Sequence, residues 1–410
     1  MESKHVLSAD QFSLSCLVRL YQKTEKISSL LKNRQGRLLL KQVMNGRTMG
    51  LIFYQPSTRT FHHFSLAGFF LGASVGAERG VARDLPNGKV EWDLVFSSQM
   101  KGEYPEDLVR ALGRYDVLVL RHHQQGFVER MADILDAFGY ATHVINGGDG
   151  DGEHPSQAVV DLFTIFQCLG CVERPDFERL SSTSIAFIGD SFMGRTVHSL
   201  ARLLGPLGVL MRFVSPRVLS LPEACRREFA ERGFRCEYLE RIDDLTPGET
   251  MFVYNTRIQV ADYVWEDRAH ITKLAEEYML TQEVVRRLRF LAVMHPFPRR
   301  KELPIWLPDD PDTHEISIDR MPEAQYFRQM DLGPVVRAAL LWDLVAPEIG
   351  IQDLEEAQWA ESFTKQCMCG KVFSTILGWA ERPQPYSRYL PKVASCPYCG
   401  PRRDGQIIHV

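Results

Sequence analysis

Two hydrophobic periods alternate along this chain. Residues 10 to 43 hold two stretches with apolar residues at helical spacing and polar faces between them, which predicts a pair of helices. Leu51 to Tyr54 is a short apolar run that stops at Pro56, and helical spacing resumes from Phe61 to Leu71, so a strand feeds a helix. Gly72 to Glu78 reads as the next turn and strand, and Pro105 to Leu112 as a helix. Tyr115 to Leu120 and His143 to Asn146 are runs of buried-strand type, the second ending in a glycine-dense turn from Gly147 to Gly152 before a long helix, Ala158 to Leu169. The second half begins the same alternation again: strand Ser184 to Ile188, helix Thr196 to Leu204, strands Met251 to Asn255 and Phe290 to Met294, then a helical stretch within Asp319 to Leu341.

Length and composition narrow this picture. A chain of 410 residues is too long for one ordinary core, so it divides into two or three domains. With 45% hydrophobic and 24% charged residues and a net charge of -4, nothing points to nucleic acid or an anionic membrane as partner. There is no run of about eighteen apolar residues and no basic-then-apolar start, which favours the cytoplasm. Nine cysteines are an odd number for a disulfide framework. Cys16, Cys168, Cys171, Cys225 and Cys236 are therefore expected reduced and mostly buried.

The chemistry gathers where strands end. Ser57, Thr58, Arg59 and Thr60 put three hydroxyls and a guanidinium at a helix start, where free N–H groups and the helix dipole favour an anion. A helix cap needs only one hydroxyl. Arg121 emerges at the C-terminal end of a strand, where ligands collect in open α/β sheets. His154 and Gln157 lie three apart at a helix start and can face one site. Arg257 and Gln259 alternate past another strand, so they share a face. The turn Gly189 to Arg195 lacks the GxGxxG fingerprint, so no dinucleotide is assigned to it. His62, His63 and the Cys168/Cys171 pair read as structural.

Together these segments resemble the aspartate and ornithine carbamoyltransferases over roughly residues 10 to 345. The resemblance rests on Ser57-Thr58-Arg59-Thr60, Ser97 four residues before Lys101-Gly102-Glu103, and His154-Pro155-Ser156-Gln157. It extends through Gly189-Asp190 to Gly194-Arg195-Thr196, Thr256-Arg257-Ile258-Gln259 and His295-Pro296-Phe297-Pro298. Thr256 to Gln259 is similar to the aspartate branch, and the ornithine motifs are missing. The chain departs from the pattern at Phe61 to Ser65.

The resemblance implies two parallel-sheet α/β domains. Residues 1–153, completed by a returning helix at 330–350, would bind carbamoyl phosphate, and residues 154–329 would bind aspartate. It implies that Ser57, Thr58, Arg59, Ser97, Lys101 and Arg121 hold the phosphate, while Thr60, Arg121 and His154 polarise the carbonyl. Gln157 and the backbone of Pro296 and Phe297 would fix the amide, with the identity of Phe297 of little consequence. Arg195, Arg257, Gln259 and Lys101 would hold aspartate. Ser97 and Lys101 would come from a neighbouring subunit, which implies a homotrimer. A different amine acceptor, or a catalytically silent subunit, stays open at this point.

The tail, 361–410, is separate. Cys367 and Cys369, then Cys396 and Cys399, form two pairs each followed by glycine, and four thiolates suit a closed tetrahedral zinc site. CxC in the first pair departs from the usual CxxC, and two unrelated pairs are the alternative. The tail loosely resembles a regulatory-chain zinc module and has seven Lys/Arg against three Asp/Glu, which would suit an acidic protein partner. No catalytic cofactor is expected.

Overall fold

The apolar run at Leu51 becomes part of β1 (Thr48–Phe53), the middle strand of a five-stranded sheet. The computed structural model describes residues 3–84, 90–94, 102–258 and 276–354, with short strands at 364–366, 372–374, 395–396, 400–401 and 408–409. Ser97, Lys101, Gln259, Cys367, Cys369 and Cys399 lie outside these residues. The first sheet is completed by β2 (Ser74–Asp84), β3 (Val90–Leu94), β4 (Val117–His122) and β5 (His143–Asp149), in the order β3-β2-β1-β4-β5. β1, β2, β4 and β5 run parallel, and β3 returns antiparallel on the outer edge of β2. The strand expected to end near Glu78 thus runs on to Asp84 and turns back as a hairpin.

The second sheet is wholly parallel. It contains β6 (Ser184–Ile188), β7 (Leu210–Val214), β8 (Cys236–Leu239), β9 (Phe252–Asn255) and β10 (Ala292–Met294), in the order β10-β9-β6-β7-β8. Each sheet therefore reverses its strand order once, between β1 and β4 and between β6 and β9. Such reversal points open a crevice at the strands' carboxyl ends, where ligands bind. Register puts Phe53 beside Arg121 at one crevice and Ile188 beside Asn255 at the other.

Helices cover both sheets. The first half contributes α1 (Leu14–Leu30), α2 (Arg34–Leu40), α3 (Thr58–Leu71), α4 (Pro105–Leu112), α5 (Phe127–Ala137) and α6 (Pro155–Cys168). α7 (Phe177–Ser181), α8 (Arg195–Leu204) and α9 (Glu223–Glu231) follow, and among the described residues beyond them are the short helices Gln282–Leu288 and Pro311–Ile316 and a closing helix, Tyr326–Val345. α6 is buried on nearly every side, as a helix apolar all round must be, and links the sheets. One hydrophobic core runs from Val6 and Leu17 through Phe163 and Phe166 to Phe252 and Met294, so residues of both sheets share it. The closing helix contacts α1, α3 and α6 and thereby returns to the first sheet.

Beyond the closing helix, strands Val372–Ser374, Thr364–Gln366 and Ile408–His409 form an antiparallel sheet. Ser395–Cys396 pairs with Gly400–Pro401. Among the described residues no cluster of three or more His, Cys, Asp or Glu could hold a metal, and no helix is long and apolar enough to cross a membrane. Cys16, Cys168, Cys171, Cys225 and Cys236 are all free thiols, but only Cys16 is fully buried.

The closing helix is pinned to α1 by charge as well as by packing. Arg19 forks Asp343 with two bonds of 3.0 Å, and the buried Lys23 donates to the same carboxylate at 2.8 Å. Burial alone would raise the Asp343 pKa, yet bonds from Arg19 and the charge of Lys23 hold it well below the usual carboxylate range. Asp343→Ala strands Lys23 as an uncompensated buried charge and is expected to cost about 3–5 kcal/mol in denaturant unfolding at neutral pH. Because the folded pKa is depressed, this contribution is present above the ordinary carboxylate pKa and lost as pH falls. The difference between the two proteins should therefore shrink in acid.

Candidate active site

The site starts at the turn after β1. α3 begins at Thr58 with Ser57 at the N-cap, but the Ser57 hydroxyl makes no capping bond. The first-turn N–H groups are thus not taken up by a Ser57 cap, as an anion site requires. Ser57 and Arg59 are half-buried, Thr58 is exposed and Thr60 is buried. Thr60 Oγ1 lies 3.1 Å from His154 Nε2, which joins this turn to the N-cap of α6.

Arg121 and Arg195 reach the cleft from the two sheets and meet on one acceptor. Arg121 donates to the Gly147 carbonyl at 2.8 Å and to Gln55 Oε1 at 3.4 Å. Arg195 donates to the Gly150 carbonyl at 2.6 Å and to the same Gln55 Oε1 at 3.2 Å. The glycine-dense turn thus brings its backbone up to two guanidiniums. A Cβ at Gly148, where φ is +115°, would fall 2.4 Å from Arg121 Nη1. Arg195 opens α8, and the turn before it is tied by Asp190 Oδ1, which accepts from Phe192 N and Met193 N.

Four guanidiniums converge here. Burial and repulsion from Arg195 and Arg59 push Arg121 well down from the ordinary arginine value. Burial and Arg257 lower Arg59. Burial, then Arg337, Arg121 and Arg195, push His154 well down, so its imidazole is neutral at physiological pH. A neutral imidazole can donate one hydrogen bond without adding charge.

Gln157 faces the same region from the first turn of α6. Its Oε1 accepts from Arg337 at 3.0 Å and its Nε2 donates to Asp161 at 2.7 Å. Asp161 also accepts from Gln329 and Tyr254. Burial pushes its carboxyl up to about 6, against those hydrogen bonds and the charge of Arg337. The turn after β10 is set by His295, whose Nδ1 accepts from Phe297 N at 2.8 Å and whose Nε2 lies 3.1 Å from Glu302. The Phe297 ring lies 5.4 Å from the Arg59 guanidinium, in cation–π range, so the side chain expected to be inconsequential contacts the turn that opens α3.

Among the described members of the expected site, Thr60 meets His154, Arg121 and Arg195 share Gln55, Arg59 lies near Phe297 and feels Arg257, and Gln157 is bonded to Arg337, which also acts on His154. His63 and His122 are held neutral by burial, each pushed down to about 3. His122 stacks on Phe127 at 3.7 Å, a structural contact. Sequence reasoning missed Gln55 and Asp161. Asp161 did carry a signal, a lone carboxylate in the apolar string Ala158-Val159-Val160-Asp161-Leu162-Phe163, which can be buried only if it is bonded.

Comparison with known proteins identifies the class. Residues 4–167 match the family model "Aspartate/ornithine carbamoyltransferase, carbamoyl-P binding domain", and residues 181–344 match its "Asp/Orn binding domain". The chain belongs to the aspartate/ornithine carbamoyltransferase family. Within that family it is similar to "Aspartate carbamoyltransferase catalytic subunit" of Methanothermobacter thermautotrophicus, 32% identical over 351 residues, 85% of this chain and 98% of that protein. It is 34% identical over 343 residues to "Multifunctional protein pyr1-3" of Dictyostelium discoideum, but spans only 13% of that protein's length. Among solved structures, the catalytic subunit of M. jannaschii aspartate transcarbamoylase superposes with TM-score 0.66 at 30% identity, over 84% of this chain and 98% of that one. The Trypanosoma cruzi aspartate transcarbamoylase in complex with carbamoyl phosphate and aspartate superposes with TM-score 0.65 at 29% identity, over 83% and 95%.

Gathered guanidiniums repel each other until an anion neutralises them. Inorganic phosphate at a hundredfold its Kd is expected to stabilise the protein by about 2.7 kcal/mol, read as a rise in Tm. Arg59→Ala should lose most of that rise.

Proposed function

We infer that the chain transfers the carbamoyl group of carbamoyl phosphate to the α-amine of L-aspartate, giving N-carbamoyl-L-aspartate and phosphate, a reaction of pyrimidine biosynthesis. The observation that carries this reading is the convergence of Arg59, Arg121, Arg195 and Arg257 beside the Thr60–His154 pair, in a family whose aspartate branch the chain resembles. Two anionic reactants must be held together, and arginines suit both.

In this reading Ser57, Thr58, Arg59 and Arg121 hold the phosphate, joined by Ser97 and Lys101 of a neighbouring subunit. Thr60, Arg121 and neutral His154 donate to the carbonyl oxygen and stabilise the charge that grows there on attack. Gln157 and the carbonyls of Pro296 and Phe297 accept from the carbamoyl amide. Arg195, Arg257, Gln259 and Lys101 hold the two aspartate carboxylates, with the uncharged amine directed at the carbonyl carbon. Attack gives a tetrahedral intermediate that collapses with loss of phosphate, and the departing phosphate takes the amine proton.

The assembly we propose is a trimer with shared sites. It fits the exposed Leu66 and Phe69, three apart on α3, which a contact between subunits would cover. We take 1–153 with the returning helix as the carbamoyl phosphate domain and 154–329 as the aspartate domain. A cytoplasmic location fits the free thiols. In the tail, zinc held by Cys367, Cys369, Cys396 and Cys399 and a protein partner stay readings of the sequence. One zinc per chain is expected by metal analysis of protein purified without chelator, and absence of zinc would overturn that part.

Phosphate release from carbamoyl phosphate across a panel of amino acids tests the activity. Aspartate should support turnover; turnover with another amine and none with aspartate would overturn the assignment. His154→Ala should lower kcat by about 10²–10³-fold while inhibition by inorganic phosphate is unchanged.

A further inference from the structure

The proposed pocket has two receptors for the carbamoyl amide, the Gln157 side chain and the turn at His295–Phe297, and one buried carboxylate stands behind both. Asp161 is fully buried on α6. Its Oδ1 accepts from Gln157 Nε2 at 2.7 Å and from Gln329 Nε2 at 2.6 Å, and its Oδ2 accepts from the Tyr254 hydroxyl at 2.8 Å. On their other ends, Gln157 Oε1 accepts from Arg337 Nη2 at 3.0 Å and Gln329 Oε1 accepts from His295 N at 2.9 Å.

A glutamine amide can sit in either of two orientations that differ only in which end donates. Here each amide is bracketed by groups that allow one orientation. A carboxylate only accepts, while a guanidinium and a backbone N–H only donate. Gln157 must therefore turn its oxygen away from Asp161, and that oxygen's remaining lone pair is what an amide N–H₂ needs. Reversed, Gln157 would meet Arg337 donor to donor and offer N–H groups to a substrate group that has none to accept with. Gln329, fixed by the same carboxylate, holds the His295 N–H and with it the turn that carries the Pro296 and Phe297 carbonyls.

We propose that Asp161 is a positioning residue that sets the orientation of Gln157 and, through Gln329, the seat of the His295–Phe297 turn, so that the pocket selects an acyl phosphate bearing an amide. The inference rests on the carbamoyl-transfer reading. Its consequence is selective: the carbamoyl half of the substrate depends on Asp161, and the phosphate half does not.

Asp161→Leu, Asp161→Asn and Gln329→Met test it, with the KM for carbamoyl phosphate, kcat, and the inhibition constants of inorganic phosphate and acetyl phosphate as readouts. Asparagine can keep its oxygen toward both glutamines while its N–H₂ donates to Tyr254, so Asp161→Asn should stay near the parent. Asp161→Leu should lose about 10²-fold in kcat/KM, with phosphate inhibition within about twofold of the parent, and its preference for carbamoyl phosphate over acetyl phosphate should fall in step. Gln329→Met, which cuts only the turn's branch, should show the same selective loss at smaller size and carries the test if Asp161→Leu does not fold. A parallel loss of phosphate affinity, an Asp161→Asn variant as impaired as Asp161→Leu, or unchanged discrimination in the Leu and Met variants would each overturn the proposal. If the parent itself releases no phosphate with any amine, the underlying reading falls and this one with it; parental turnover with any of the preceding results overturns this one alone.

Discussion

Like charge held at close quarters is the constraint around which this cleft is built. Arg121 is buried among Arg195 and Arg59, and Arg59 in turn feels Arg257. Arg121 and Arg195 rest on neutral acceptors, the carbonyls of Gly147 and Gly150 and the shared oxygen of Gln55, while the face of Phe297 lies near Arg59. Neutral dipoles orient guanidiniums without cancelling their charge. A carboxylate in the place of Gln55 would hold them more strongly and leave less field for a substrate.

That arrangement depends on two sheets standing in fixed relation. The crevice at β1/β4 supplies the hydroxyl turn and Arg121, and the crevice at β6/β9 leads to Arg195 and Arg257, so neither sheet carries a complete site. α6 and the closing helix bridge them through one continuous core, and the ion cluster at Asp343 fastens the closing helix to α1. Arg337, Gln329 and Asp161, which order the amide end of the site, all lie on those two bridging helices.

Much of this was legible in sequence because short apolar runs deliver polar residues at their ends. β6 was readable residue for residue, and Arg121, His154 and Arg195 fall where the strand and helix ends predicted. The hairpin partner β3 was not readable, because β2 continues through Glu78, Arg79 and Arg83 and an edge strand need not be apolar. β7, α9 and β8 passed unassigned as well. β8 is an edge strand with only partial burial, so it lacks the continuous apolar run that marks a central parallel strand. The Phe297 ring was discounted because a backbone role was sufficient for its turn. In the folded protein the ring also meets Arg59 on α3 and Tyr326 and Phe327 of the closing helix, contacts that no local sequence pattern shows.

Asp161 gives the clearest case of a local cost set against a site's need. Raising a carboxyl from its ordinary value to about 6 makes its ionised form cost roughly 3 kcal/mol of stability at neutral pH. With a raised folded pKa, that stability is present in acid and lost as pH climbs through 6. An apolar residue would avoid the cost, and the surrounding helix is otherwise apolar. What an apolar residue cannot do is accept from two glutamines at once and so deny each its reversed orientation. The carboxylate also sits behind Gln157, so in the proposed pocket the amide end is ordered by an anion that the substrate does not touch.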